Sequence, residues 1–210
     1  MLTTPRLIAI ALCAALNFSV GTIVYLIKLP IYLDSIGTIL CALLFAFDRK
    51  TAFVCAWLSS IVSLIVSALL INPFIPWFAA TDVAIALVAA FLITGGAETF
   101  RARTMRPGAF VGRVLLYGVI LGVVAAVVSA PVVAYLFGGV TGSGSAFIVA
   151  LFLKAGQQVL SAALLSGLAA EPVDKTLQVL LAALLYRATP RDFLVMLEAR
   201  AEAPPSRAAR

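Results

Sequence analysis

Apolar runs fill most of this chain up to Ala170, and their lengths decide what it can become. Six of them lie at about 6–27, 34–48, 51–71, 76–97, 108–137 and 146–169. A helix needs ~20 apolar residues to cross a bilayer, or fewer where charged ends anchor it, as in the second run. In hydrocarbon every backbone donor and acceptor must be satisfied within the segment, so such runs close into helices. Only 11% of the 210 residues are charged, against about 25% in a soluble domain. The expected fold is an all-α integral membrane protein, a six-transmembrane-helix bundle. Arg6 ahead of an apolar core resembles the start of a signal peptide. The run continues through Val24 and Ile27 with no small-residue cleavage site, so the segment is expected to stay as a helix.

Basic residues set the expected orientation. Arg6, Arg49, Lys50, Arg101, Arg103, Arg106, Arg113 and the basic residues from Lys175 onward fall on one side of a six-span arrangement. The other side keeps Lys28, with Lys154 inside the sixth span. Both termini are therefore expected in the cytoplasm, with the protein in the cell (inner) membrane. The net charge of +6 then marks the cytoplasmic face of a lipid-embedded protein and needs no nucleic acid. The three cysteines, Cys13, Cys41 and Cys55, sit in apolar runs without paired spacing and are expected to pack. The chain has no histidine, the commonest metal ligand and general base, and no Walker loop to hydrolyse nucleotide. It is therefore expected to be no enzyme and to hold no metal or cofactor.

The stretch Lys28-Leu-Pro-Ile-Tyr-Leu-Asp-Ser-Ile-Gly-Thr-Ile39 interrupts this pattern. Pro30 should end the first helix, and Asp34 or Ser35 can cap the next. Backbone broken at a membrane surface survives where protein or water satisfies it, so the stretch reads as a structured cap over a cavity. Pro131 is expected to kink the fifth helix. Glu171-Pro-Val-Asp-Lys175 reads as the start of a new helix, with Pro172 in its first turn. The leucines of 176–187 then share one face and suit a cytoplasmic interfacial helix ended by Pro190, with a short polar helix after it. The expected divisions are a transmembrane domain 1–170, an interfacial helical segment 171–202, and a disordered tail 203–210.

Ionisable groups inside a membrane each cost about 2.5–3.5 kcal/mol at its centre. Asp82 and Lys154 fall at matching depths, roughly 9–12 Å below the outer surface. They are either a structural ion pair or part of a substrate cavity. Gln157 and Gln158 lie one turn below Lys154, Thr81 beside Asp82, and Trp77 either lines the same recess or belongs to the interfacial aromatic belt. Tyr25, Tyr32 and Asp34 flank the cap, and a tyrosine there can stack on a flat ring. Asn17 lies mid-span in the first helix, and Ser59, Ser60 and Ser63 line one part of the third, where helix-to-helix hydrogen bonds account for such serines more often than a ligand does. Small residues recur every fourth position, at Ala11 and Ala15 and at Gly118, Gly122, Ala126 and Ala130. The second row suits packing within the bundle, and the first suits either that or docking on another membrane protein. The inner half is nearly featureless, which disfavours a channel.

These features, the 28–39 stretch above all, with Ala11-x-x-x-Ala15 and Glu171-Pro-Val-Asp-Lys175 beside it, resemble the substrate-binding S components of energy-coupling-factor (ECF) vitamin transporters. The resemblance covers nearly the whole chain. It implies a membrane-embedded subunit of an ECF-type ABC importer that captures a vitamin-like small molecule outside. Delivery inward would use a transmembrane coupling subunit and two cytoplasmic ATPase subunits. By the same resemblance Ala11 and Ala15 would face the coupling subunit, and residues 28–34 would form the lid. Asp82, Lys154, Gln157, Gln158, Tyr32, Asp34 and Trp77 are the candidate substrate contacts. Nickel and cobalt members carry an N-terminal Met-His pair; this chain begins Met-Leu-Thr-Thr, so a metal substrate is not expected. The other reading is a membrane sensor or scaffold with a ligand-binding bundle.

Overall fold

The computed structural model describes residues 3–94, 100, 107–142 and 144–199. Arg101, Arg103, Arg106 and the tail 203–210 lie outside the described residues. Helices without strands make up the described chain. They are α1 (Thr4–Leu26), α2 (Ile36–Leu44), α3 (Arg49–Leu70), α4 (Ala79–Thr94), α5 (Pro107–Pro131), α6 (Ser145–Lys154), α7 (Val159–Ala188) and α8 (Arg191–Ala199). A 3-10 turn, Ile75–Phe78, leads into α4, and a wider π turn, Val132–Leu136, follows α5.

Four of these stretches, Thr4–Leu26, Arg49–Leu70, Ile75–Thr94 and Pro107–Leu136, are long and apolar enough to cross a membrane. Leu12, Ile23, Leu69 and Phe91 stay exposed on them, as surfaces meeting lipid do. The protein is thus a multi-pass membrane protein, all-helical among the described residues. Its core gathers where α2 sits among its neighbours, around Ile39, Phe45, Ile85 and Leu121. The tight fit of α2 on α1 depends on Gly37, where a Cβ would meet the Cys13 carbonyl oxygen at 1.9 Å. All three cysteines are free and buried.

Three sequence expectations need correction. The segment 146–169 is not one helix. Gly156, at φ 87°, ends α6, with the Gln157 amide reaching back to the Phe152 carbonyl. This is a glycine-terminated helix end, in which the amides after the helix pair with carbonyls of its last turn. The chain then turns through 155–158, and the Ser166 hydroxyl donates to the Ser145 carbonyl at 3.3 Å, so α6 and α7 form an antiparallel hairpin. Secondly, no helix starts at Glu171. Pro172 lies inside α7, where the Thr176 hydroxyl donates to the Pro172 carbonyl at 2.6 Å. The expected separate interfacial helix is the last part of α7, and α8 follows Pro190. Thirdly, neither Asp34 nor Ser35 caps α2 with its side chain. Asn17 does so from α1, its Oδ1 accepting the Gly37 and Thr38 amides at 2.6 and 3.3 Å.

Two features singled out from sequence have a clear place in the fold. The row Gly118, Gly122, Ala126 packs inside the bundle, on α7: Cβ atoms at Gly118 and Gly122 would lie 2.4 Å from the Cα atoms of Thr176 and Pro172. Pro131, which lacks a backbone donor, sits where α5 widens into its π turn.

Candidate functional site

A cavity of about 180 Å³ opens at one end of the bundle. That is the scale of an apolar cavity able to hold a single aromatic ring. Its walls come from the second half of α1, the 28–35 segment, the second half of α3, the start of α4, the end of α5, and the middle of α7. Ser60, Ser63 and Ser67 contribute hydroxyls from α3. Phe78 and Phe137 stack at 5.7 Å between ring centres and give the cavity a flat apolar wall.

Its floor holds Lys175, only 3% exposed. The ammonium lies 3.0 Å from Asp174, 3.4 Å from Asp34 and 3.5 Å from Glu171. Glu171, Asp174 and Lys175 share one face of α7 because positions three and four apart on a helix are neighbours. Asp174 is fully buried, and its carboxylate is completely satisfied. Oδ1 accepts the Tyr32 and Leu33 amides at 3.1 and 3.0 Å, and Oδ2 accepts Lys175 Nζ at 3.0 Å and Gln178 Nε2 at 2.8 Å. Gln178 in turn accepts the Ser35 amide at 3.0 Å.

The 28–35 segment is therefore a cap held by its backbone. Lys28 and Leu33 adopt φ of 57° and 50°, a region that costs an ordinary side chain roughly 1–2 kcal/mol. Hydrogen bonds from α7 offset that cost at Leu33. At its other end, Lys28 Nζ donates to the Gly142 carbonyl at 2.8 Å and lies over the Tyr25 ring. The Tyr32 hydroxyl pairs with that of Ser145.

Of the residues singled out from sequence, Asp82, Tyr32 and Asp34 line the cavity together with Thr81 and Tyr25. Trp77 does not; it is 56% exposed, and its neighbour Phe78 takes the inner position. Lys154, Gln157 and Gln158 are exposed on the α6–α7 hairpin turn, away from the cavity. The expected meeting of Asp82 with Lys154 therefore does not occur, because the helix supposed to carry Lys154 past Asp82 breaks at Gly156. Lys175 is the cation that shares the cavity with Asp82. Ser59 bonds back to the Ala56 carbonyl at 2.8 Å, while Ser60 and Ser63 reach the cavity. Ala11 and Ala15 lie exposed on α1.

Sequence reasoning missed Glu171, Asp174, Lys175 and Gln178 as a site. Their signal was the spacing itself: polar residues at i, i+3, i+4 and i+7 within a helical pattern mark one face. Among the described residues, no three His, Cys, Asp or Glu side chains are arranged to hold a metal ion. Comparison of the chain with protein-family models, curated proteins and solved structures found no match.

Proposed function

We propose that this protein is a membrane-embedded solute-binding subunit, the S component of an ECF-type importer. It takes a small, vitamin-like molecule from outside and passes it inward with a transmembrane coupling subunit and two ATPases. The observation that carries this reading is the capped cavity, with a buried lysine and its carboxylates at the floor. Buried charge is costly in a membrane protein and marks function more often than scaffold.

Orientation supports capture from outside. Arg6, Arg49, Lys50, Arg113 and Arg187 sit at the helix ends remote from the cavity, and basic residues favour the cytoplasmic side. In this arrangement α1, α2 with its flanks, α3, α4, α5 and α7 make six passes. The length from Ser166 to Arg187 is about 31 Å at 1.5 Å per residue, which matches the hydrocarbon thickness. Lys175 then lies near the membrane middle, and the α6–α7 turn projects outward. A cavity open at one end and sealed beneath by apolar side chains suits a carrier subunit better than a pore.

Native mass spectrometry of the detergent-purified full chain tests this, alongside co-purification with ECF coupling and ATPase subunits. A retained small molecule together with a recovered coupling complex is expected. A ligand-free protein that never associates with a coupling subunit would overturn the reading; a ligand-bound one that associates instead with signalling proteins would favour a sensor.

A further inference from the structure

Resting on the solute-binding reading above, we infer that the cavity selects a small organic cation, a protonated amine or charged nitrogen carried by a flat ring. The charges around the cavity do not balance. Asp34, Asp82 and Glu171 line it, and Lys175 is the one lysine or arginine among the described residues that does so. That lysine is already divided among three carboxylates and stands closest to Asp174. Asp174 has all its acceptor positions filled by the cap, Gln178 and Lys175, so it belongs to the structure. The lining carboxylates thus outnumber the charge left to neutralise them.

Two further observations point to a guest. Thr81 lines the cavity at 9% exposure, and its hydroxyl has no hydrogen-bond partner among the described residues. Glu171, at 8% exposure, has an Oε2 without a hydrogen bond, its nearest cation being the shared Lys175 at 3.5 Å. Buried polar atoms in native structures are nearly always paired, so an orphan facing a cavity calls for a ligand atom. Asp82 has no ion pair among the described residues and stands on the same wall as Thr81. A cationic nitrogen placed among Asp82, Glu171 and Asp34 receives the missing charge, and its N–H groups meet acceptor oxygens. The stacked Phe78 and Phe137 beside it suit the ring that carries the nitrogen. An anion of equal size would meet the like charges of Asp34, Asp82 and Glu171.

Three single-ring probes of nearly equal size test the charge directly: benzylamine, benzyl alcohol and benzoate. Each is titrated at millimolar concentration into the full-length protein in detergent near neutral pH, with binding read by equilibrium dialysis and thermal shift. Benzylamine is expected to bind roughly tenfold tighter than benzyl alcohol, about 1.4 kcal/mol, with benzoate weakest. Asp82→Asn and, separately, Glu171→Gln should each shrink that preference. Equal binding of the three probes, tighter binding of benzoate, no binding of any, or an undiminished preference in both variants would overturn the inference. The two proposals fail separately. Cation preference in a protein that recovers no coupling subunit removes the importer and keeps the ligand class. Assembly with a coupling subunit combined with benzoate preference does the reverse.

Discussion

The Asp174 carboxylate accepts the backbone amide of Leu33 at 3.0 Å across 141 positions of sequence. One side chain in the middle of α7 thus fixes a residue of the cap in its left-handed conformation while its other oxygen holds Lys175. Asp174→Ala strips the partner from two amides, a glutamine and a buried ammonium. The loss should be about 3–5 kcal/mol, the range for a broken buried ion pair. Asp174→Asn keeps an oxygen for the amides and should lose less. Thermal unfolding in detergent ranks the variants, and limited proteolysis reports whether 28–35 has come loose. An alanine variant as stable and as protease-resistant as the parent would show that the cap is held by something else.

Lys175 and Lys154 offer an internal control. Lys175→Met leaves Asp34, Glu171 and Asp174 facing one another with no cation between them and should cost several kcal/mol, about 3 or more. Lys154→Met alters an exposed position at a helix end and should change stability by no more than about 0.5 kcal/mol. Detergent unfolding midpoints for the two variants decide the matter. Equal midpoints would contradict the placement of Lys175 at a buried floor.

Apolar run length was enough to locate α1, α3, α4 and α5, since hydrocarbon leaves the backbone little choice but a helix. The cap was legible too, because Pro30 and the polar residues after it cannot continue a helix. The α7 acids were harder to place. Proline followed by acidic residues favours a helix start on local grounds, and nothing within Glu171–Lys175 reveals that Gly122 gives Pro172 room inside the bundle. That is a tertiary fact. Likewise Asn17 took over the capping of α2 because α1 runs close past Gly37, a proximity invisible in either segment alone. Gly156 did carry a local signal for the α6–α7 turn, followed as it is by two glutamines, but the surrounding apolar run masked it.

Gly122 tests the α5–α7 contact. A Cβ there would meet Pro172 Cα at 2.4 Å, and Pro172 is backbone that cannot swing aside. Gly122→Ala should therefore destabilise by about 1–3 kcal/mol through overpacking. Gly112, on the same helix, has nothing within 4 Å of its would-be Cβ, so Gly112→Ala should be neutral or stabilising by up to about 1 kcal/mol. Unfolding of both variants under one detergent condition gives the comparison. The same loss at both sites would mean the helix contact is not where the distance puts it.

Acid should erase one helix cap. Asp48 stands before α3, and its carboxylate accepts from the Thr51 hydroxyl at 2.6 Å and the Thr51 amide at 2.9 Å. Those bonds, the hydroxyl's first, hold the carboxyl below its ordinary value. A folded-state value below the unfolded one means stability that is present above the unfolded value, near 4, and lost as pH falls through the lower one. Near neutral pH, Asp48→Ala should cost about 1 kcal/mol, as N-cap losses do. The gap between variant and parent should close in acid. A gap that stays constant from neutral pH down to about 3 would assign the loss to something other than the carboxylate.

Ala11 and Ala15 lie exposed on α1, one helical turn apart. A large side chain there can point away from the bundle. Ala11→Trp should leave the unfolding midpoint within about 0.5 kcal/mol of the parent and leave probe binding in the cavity unchanged. Under the proposed importer reading it should nonetheless abolish co-purification with a coupling subunit and uptake into cells, because small residues at a helix face let another backbone approach. The separation of the two readouts is the informative part. Loss of stability would make the row part of the fold after all, and retention of both assembly and uptake would place the coupling contact on a different helix.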